Sequence, residues 1–242
     1  MDDAFVGEAR TAFQILALAA TVLSGFLLRR ALRARARLKE LHQALAPPLR
    51  DLSHPGSPVL VSGSTAAGPS GWLHAPYSGT RCVWFRTEEW QHEAIPGRRY
   101  EGVQASLVAV RQSQAPFVLE DRTGAVRCYP HGATTDKIAL THDSFAAEGQ
   151  ESLAGPAGGD TDRRRPGRLY REWSLAPGAR VVVHGTVYTW DGTPVIASSP
   201  DGRLLLSTRT APQLRDAYGT REFIGWTVFL GALGALLWSF LG

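Results

Sequence analysis

Two long apolar runs lie near the two ends of the chain and predict membrane-spanning helices. Residues 11–28 carry no charged side chain over 18 positions, and residues 223–241 carry none over 19. An α-helix of about 20 apolar residues crosses the hydrocarbon core of a bilayer. We therefore predict transmembrane helices at 11–28 and 223–241, the first of them preceded by a short external tail at 1–10.

Between these runs, the pattern changes to short segments typical of β-strands. The segments are rich in β-branched and aromatic residues and are bounded by Gly, Pro, Asp or Ser, as in a barrel or a sandwich. Gly185 predicts a sharp bend within a strand, and the Asp191-Gly192 pair predicts a type I′ turn. The predicted fold class is mainly β: an OB-like or small β-barrel domain at 58–210, flanked by two transmembrane helices. The predicted strands are 58–64, 80–90, 102–111, 116–121, 124–130, 179–190, 193–198 and 203–208.

One internal segment lacks a strand or helix pattern. Residues 146–168 are rich in Gly, Pro and charged residues. A segment of this composition buries too little apolar surface to offset the entropy that it loses on ordering. We therefore predict a mobile loop at 146–168.

Positive charge is concentrated directly after the first apolar run and predicts the orientation in the membrane. Six Arg or Lys residues lie among residues 29–39, and without them the chain, whose net charge is +4, would be near neutrality. Basic residues beside a membrane helix favour the cytoplasmic side and contact anionic headgroups. We therefore predict a basic juxtamembrane helix at 29–48 on the lipid bilayer, both termini outside, and a cytoplasmic β domain. A cytoplasmic location keeps Cys82 and Cys128 reduced.

The predicted strand at 80–90 carries several large aromatic residues. Alternation places Cys82, Trp84 and Arg86 on one face of the strand. One face packs the barrel, and the other, with Trp84 and Trp90 set among charged residues, either covers a second layer or contacts a protein partner. Trp84, Arg86 and Trp90 form the candidate interaction surface.

The sequence contains no constellation typical of catalysis or metal binding. Cys128 lies three residues before His131, which matches no nucleophile–base signature, and the seven histidines show no metal-ligand spacing. A glycine-rich phosphate loop is also missing from the sequence. We therefore predict no catalytic residue, no metal and no cofactor.

An OB-like barrel raises single-stranded nucleic acid as an alternative ligand. Aromatic side chains on a basic groove stack bases in such barrels. The same side chains also fill barrel cores, and a fold alone does not assign a function, so we do not expect nucleic acid as the partner. The aromatic residues considered for stacking are Trp84, Trp90, Tyr100, Tyr129, Tyr188 and Trp190.

Three motifs, in this order, resemble a known family. They are GWLHAPYSGTRCVWFR (71–86), PFVLEDRTGAVRCYPHGA (116–133) and RLYREWSLAPGARVVVHGTV (168–187). Together they are similar to the GIDE domain, or beside-a-membrane domain, of mitochondrial outer-membrane ubiquitin ligases and of many bacterial proteins. The residues that carry the resemblance are Pro76, Ser78, Cys82, Phe117, Glu120, Asp121, Gly124, Glu172, Gly178 and Gly185.

The resemblance does not carry ubiquitin transfer with it. In the eukaryotic relatives, a RING domain with closely spaced Cys and His zinc ligands follows the second membrane helix. This chain has two cysteines, 46 residues apart. We therefore interpret it as a RING-less, bacterial-type member that is not an enzyme.

The leading hypothesis for function is a membrane-anchored scaffold for protein interaction or membrane-stress sensing. One alternative is a component of a ubiquitin-ligase-like transferase or conflict-system effector whose catalytic part is in another chain. A second alternative is single-stranded nucleic-acid binding at the membrane. The spacing of Gly231 and Ala235 suits close contact between membrane helices, either within one chain or in a homodimer.

Overall fold

The computed structural model describes residues 46–52, 54–95, 103–148, 165–199 and 204–241, together with isolated positions between 22 and 44. The chain divides into two compact units, of which Ala44–Ala211 is the β domain and Met1–Gln43 with Pro212–Gly242 is the second unit. The described elements include a 3-10 helix at Leu49–Asp51 and an α-helix, α1, at Ala211–Leu241. The described strands are β1 Pro58–Ala66, β2 Leu73–His74, β3 Arg81–Cys82, β4 Trp84–Ala94, β5 Val103–Gln112, β6 Phe117–Glu120, β7 Ala125–Cys128, β8 Thr134–Asp136, β9 Leu140–Ala147, β10 Gly167–Leu175, β11 Arg180–Trp190, β12 Thr193–Ala197 and β13 Leu205–Ser207.

Five strands of the β domain close into a barrel. β1 pairs with β6, β6 with β7, β7 with β12 and β12 with β11, and β11 returns to β1. The β7–β12 pair is parallel, and the other pairs of the ring are antiparallel. Each strand of the ring therefore has a neighbour on both sides, which satisfies its backbone hydrogen-bonding groups. The prediction of a mainly β fold with a small barrel is confirmed.

The barrel interior is filled by alternate apolar side chains of its strands. Phe117 and Leu119 of β6 and Ile196 of β12 are fully buried. Gly185 of β11 is needed because there is no room for a side chain: an added Cβ would lie 2.7 Å from Leu204 Cδ1 and 2.8 Å from Ile196 Cγ2. β13 and β8 extend the wall beyond β11.

A second, four-stranded antiparallel sheet has the order β5-β4-β10-β9. β4 and β10 are its central strands and pair from Trp84–Leu175 to His92–Gly167. β5 and β9 are its edges among the described strands. A β-bulge opposite the Glu89–Trp90 step gives β5 one extra residue.

Seven of the eight strands predicted from the sequence are present with small shifts in their bounds, and the eighth, at 80–90, is divided into β3 and β4, which lie in different sheets. The turn predicted at Asp191-Gly192 is also confirmed, because both residues have positive φ angles, 49° and 74°. The pattern did not predict β2, β8, β9 or β10. β2 and β8 are very short, and β9 and β10 mix polar and apolar residues on both alternations, so neither face stands out in the sequence.

The segment predicted as a mobile loop is described only at its ends. Residues 146–147 belong to β9 and residues 167–168 belong to β10. Residues 149–164, the larger part of the predicted loop, lie outside the described residues.

The prediction of two flanking transmembrane helices is wrong. Within the part of the chain that the structure describes, no helix has both the length and the apolar composition needed to cross a membrane. The predicted segment 223–241 is the later part of α1, which begins earlier, at Ala211, in a polar stretch. The two-pass localisation, with a cytoplasmic β domain and external termini, is overturned by the same finding.

The remaining predicted segments of the second unit are described only in part. The tail at 1–10 and most of 11–28 lie outside the described residues. Of the helix predicted at 29–48, the described positions from 29 to 41 are helical, whereas 46–48 are not.

Candidate functional site

The Pro-Tyr-Ser-Gly turn of the first motif connects β2 to β3. Gly79 closes the turn with a φ of 67°, and its amide donates a hydrogen bond to the Ala75 carbonyl at 2.9 Å. Pro76 and Gly79 suit this geometry because proline presets a turn φ and glycine tolerates a positive one. The turn lies over the second sheet, where its central residues meet a buried carboxylate.

Glu172 of β10 supplies this carboxylate and binds the turn. Its Oε2 accepts a hydrogen bond from the Tyr77 amide at 2.7 Å. Its Oε1 accepts from the Ser78 amide at 3.3 Å and from the Ser78 hydroxyl at 2.5 Å. The Thr141 hydroxyl of β9 also donates to Oε1, at 3.1 Å. We call Glu172, Tyr77, Ser78 and Thr141 the turn latch.

The turn latch provides hydrogen bonds to the carboxylate of Glu172, which forms no ion pair with a described cationic side chain. Glu172 has an exposed fraction of 0%. The donors of the turn latch contact both carboxylate oxygens, three of them at Oε1 and one at Oε2. Charge-assisted hydrogen bonds are strong and offset the cost of burying the charge. Glu172 therefore anchors the turn.

Further polar side chains surround the turn latch on the same sheet. The ring of Tyr77 lies 5.5 Å from that of Tyr170 and 5.7 Å from that of His142. The Ser144 hydroxyl lies 2.7 Å from His142 Nε2, and His142 is directly opposite Glu172 in the β9–β10 register. In many nucleophilic sites a third group orients the base. Glu172 accepts its side-chain hydrogen bonds from Tyr77, Ser78 and Thr141 instead.

Both cysteines are buried, and burial raises the pKa of each thiol. The pKa of Cys82 rises to about 11, through desolvation first and the negative charge of Glu172 second. Desolvation raises the pKa of Cys128 as well. The thiolate is the nucleophilic form of cysteine, and a raised pKa keeps both thiols protonated at neutral pH. His131, three residues after Cys128 in the sequence, is exposed.

We expect both cysteines to resist alkylation in the folded protein. The rise of the Cys82 pKa from 9.0 to about 11 lowers its thiolate fraction at neutral pH about a hundredfold. Iodoacetamide labelling at neutral pH, followed by mass spectrometry, checks this, with the same protein in concentrated urea as the control. Rapid and selective labelling of Cys82 in the folded protein would contradict the raised pKa.

Asp121 closes the hairpin between β6 and β7. Its Oδ1 accepts hydrogen bonds from the Thr123 hydroxyl and amide, both at 2.6 Å, and from the Gly124 amide at 3.0 Å. The Thr123 hydroxyl is the main reason that the pKa of Asp121 lies below its usual value. The Leu49 amide donates to Oδ2 at 3.5 Å, which connects the 3-10 helix to this hairpin. Asp121 and Gly124 therefore have a structural role in the turn.

The remaining motif residues also have structural positions. Phe117 is fully buried on β6, and Glu120 is exposed at the end of that strand. Gly178 has a φ of 74° in the turn before β11, and its amide donates to the Thr65 carbonyl at 2.7 Å. These contacts hold the barrel strands in register.

Trp84, predicted for the interaction surface, lies in the core instead. Its exposed fraction is 0%, and it lies opposite Leu175 at the end of β4 that joins the apolar core. Alternation assigns a residue to a face but does not say what covers that face along its length. Trp84 is therefore not available to a partner.

The other two predicted surface residues lie together on β4. Arg86 Nη2 donates to Glu88 Oε1 at 2.7 Å, and Trp90 Nε1 donates to Glu88 Oε2 at 3.1 Å. On the neighbouring strand, Leu107 is opposite Trp90 and Val110 is opposite Glu88. Leu107 and Val110 are 47% and 45% exposed. We call Arg86, Glu88, Trp90, Leu107 and Val110 the β4–β5 surface.

Sequence reasoning did not identify several of these residues. Leu107 and Val110 lie in a predicted strand, and the absence of charge from Val103 to Val110 was the signal that an exposed apolar strand was present. Thr141 had no local signal, because its partner Glu172 is 31 residues away.

The structure does not gather the aromatic residues considered for base stacking into one described groove. Tyr129 and Trp190 approach each other, with ring centroids 6.3 Å apart. Trp84 is buried, Trp90 is on the second sheet, and Tyr100 lies outside the described residues. Among the described residues, no group of three or more His, Cys, Asp or Glu side chains is placed to hold a metal ion.

Comparison with known families shows which family the chain belongs to. The family model of GIDE, described as E3 ubiquitin ligase, matches residues 88–239, which is more than half of the chain. The chain belongs to the GIDE family. No curated protein and no solved structure matches it.

The region that the GIDE family model matches contains only part of the turn latch. The matched region begins at Glu88, within β4, and includes Glu172 and Thr141. The turn residues Tyr77 and Ser78 precede it. In this GIDE chain, therefore, the latch carboxylate inside the matched region holds a turn that lies outside it.

Proposed function

We propose that this GIDE-family chain is a RING-less scaffold that binds a protein partner through the β4–β5 surface and has no catalytic activity of its own. The exposure of Leu107 and Val110 beside Trp90 carries the proposal. Apolar groups exposed together and bordered by polar residues are typical of protein-binding sites, and Trp and Arg are enriched at the centres of such sites. The Arg86–Glu88–Trp90 contacts preorganise the polar groups of the surface, which reduces the entropy lost on binding.

The chemistry of the other candidate groups supports a non-catalytic role. The carboxylate of Glu172 is occupied by the turn latch, and both thiols have raised pKa values. Zinc ligands of RING type are closely spaced, deprotonated cysteines and histidines, whereas the two cysteines of this sequence are buried and 46 residues apart.

A ligase component is the second candidate function. The family's description as an E3 ubiquitin ligase favours it. In this role, the β4–β5 surface binds a second chain that carries the catalytic part, and the GIDE chain acts as its scaffold.

Site-specific photocrosslinking tests the proposal. A photoreactive residue replaces Trp90 in the full-length chain, and captured proteins are identified by mass spectrometry in the native cell extract. The matched control carries the same residue at Trp190, which is 59% exposed at the end of β11 on the barrel. We expect one dominant protein to be captured from position 90 and not from position 190. Capture should fall about tenfold in the presence of excess unlabelled wild-type chain but not of Arg86→Ala chain, because interface arginines are frequent hot spots.

The outcomes separate the two candidate functions. A captured protein without zinc-ligand pairs supports a general scaffold, and one with a RING domain supports the ligase component. Equal capture from positions 90 and 190, or capture that Arg86→Ala competes for as well as wild type, would overturn the proposed surface.

A further inference from the structure

β5 is an exposed apolar edge strand of the second sheet. It runs for ten residues, Val103–Gln112, and among the described strands it pairs only with β4. Its large exposed apolar side chains are Leu107, Val108 and Val110, with exposed fractions of 47%, 56% and 45%. An unpaired edge of this kind presents backbone N–H and C=O groups to another strand.

β5 lacks most of the features that prevent edge pairing. It contains no proline, no lysine and no acidic residue, and its single charged residue is Arg111. The opposite edge strand, β9, carries its charged residue, Asp143, near its centre, whereas Arg111 is the next-to-last residue of β5. The bulge of β5 at Val108 and the charge of Arg111 near its end are the protective features present, and the bulge bends the strand without adding charge.

We infer that β5 pairs antiparallel with β5 of a second copy of this chain, joining the two four-stranded sheets into one. A two-fold axis beside Ala109 makes the strand complementary to itself. With Val108 as the extra residue of the bulge, this axis brings Val110 of each copy opposite Leu107 of the other, on the same face of the sheet. Cross-strand apolar pairs of this type are a main source of sheet stability.

The charge pattern favours a second copy as the occupant. In this register, Arg111 of one copy lies opposite Ser106 of the other, so no like charges meet. Arg111 is the only charged residue of β5, so a second copy of the strand brings no charge that opposes the pairing in this register. The isologous contact also closes on itself, as most oligomeric interfaces of identical chains do.

This inference extends the proposed function, because pairing at β5 places the two β4–β5 surfaces side by side on one continuous sheet. It rests on the proposed function only in treating that surface as a binding surface. The mass of the assembly tests self-pairing, whereas capture from position 90 tests the partner, so the two can fail separately.

Sedimentation velocity of the full-length chain over a wide range of concentration measures the pairing. We expect wild type to reach the mass of a dimer as its concentration rises. The variant Leu107→Lys with Val110→Lys should raise the dimer dissociation constant at least about tenfold, because it sets like charges opposite each other. The control is Leu140→Lys on the opposite edge, whose native side chain is 47% exposed, and it should dimerise as wild type does.

A charge-swap experiment makes the test specific for a β5–β5 contact. A second variant carries Leu107→Glu with Val110→Glu, and circular dichroism checks the fold of each variant. The lysine and glutamate variants should each remain monomeric alone and form a mixed dimer together. A wild type that stays monomeric, a lysine variant that dimerises like wild type, or a mixture of folded variants that forms no dimer would each overturn the inference.

Discussion

Replacement of Glu172 by alanine should lower the free energy of unfolding of the β domain by about 4 kcal/mol. The substitution leaves the amides of Tyr77 and Ser78 and the hydroxyl of Ser78 without their acceptor, whereas the Thr141 hydroxyl keeps the backbone carbonyl of residue 172 at 3.3 Å. A buried polar group that loses its partner costs about 1–3 kcal/mol, and water entering the space of the lost side chain recovers part of the sum. Urea denaturation followed by tryptophan fluorescence measures the change.

Two milder substitutions test whether the turn latch is the cause. Glu172→Gln keeps the size of the side chain but replaces one acceptor oxygen with a donor, so we expect a loss of about 2 kcal/mol. Thr141→Val removes one donor and should cost about 1 kcal/mol. Hydrogen exchange at the Tyr77 and Ser78 amides should accelerate in both Glu172→Ala and Glu172→Gln. A Glu172→Ala protein within about 1 kcal/mol of wild type, or unchanged exchange at the turn, would contradict the latch.

The turn latch marks the limit of what local sequence pattern can predict. The resemblance to the GIDE domain singled out Glu172 and Ser78, but the pattern gave no reason for a buried carboxylate on a strand. Its partners in the turn lie 94 and 95 positions away along the chain. Burial of a polar group depends on such distant donors, so it is a property of the fold and not of any local window.

The barrel strands were predictable because their side chains sort by face. Val181, Val183 and Val187 of β11 share one face and belong to the apolar core, although Val182 on the other face is also buried, and the hairpin to β12 is fixed by Asp191-Gly192. β10 was not predictable by this rule, because Leu169 and Trp173 share their alternation with Arg171. A central strand with both faces partly covered gives no clean period of two.

The long uncharged runs led to a wrong prediction because length and absence of charge were treated as sufficient. The later run belongs to α1, whose first turns carry charged residues. The apolar run marks only part of the helix. The complete α1 also includes the polar turns that precede the run in the sequence.

Replacement of Trp84 by alanine should cost about 4 kcal/mol of folding free energy, similar to the loss of Glu172. Sequence alternation placed Trp84 on the same face of β4 as Arg86, whose side chain is 30% exposed. Trp84 itself has no exposed surface, because it lies opposite Leu175 and belongs to the core shared with the barrel. Truncation of a large core side chain costs about 3–5 kcal/mol through lost burial and the cavity that remains.

Trp84→Phe separates core packing from any role of the indole nitrogen. No described atom accepts a hydrogen bond from Trp84 Nε1, which is buried. Phenylalanine removes this unsatisfied donor, so part of the cost of the smaller ring is recovered, and we expect a loss of about 1 kcal/mol.

Trp90→Ala is the matched control at a half-buried position of the same strand. It should cost less folding free energy than Trp84→Ala, and under the proposed function it should abolish partner contact. If Trp84→Ala is as stable as wild type in urea but loses partner binding, then Trp84 contacts the partner and the core assignment is wrong. If Trp84→Ala unfolds at low urea concentration while Trp84→Phe keeps both stability and partner binding, then Trp84 packs in the core. The part of β4 that faces the proposed partner then begins at Arg86.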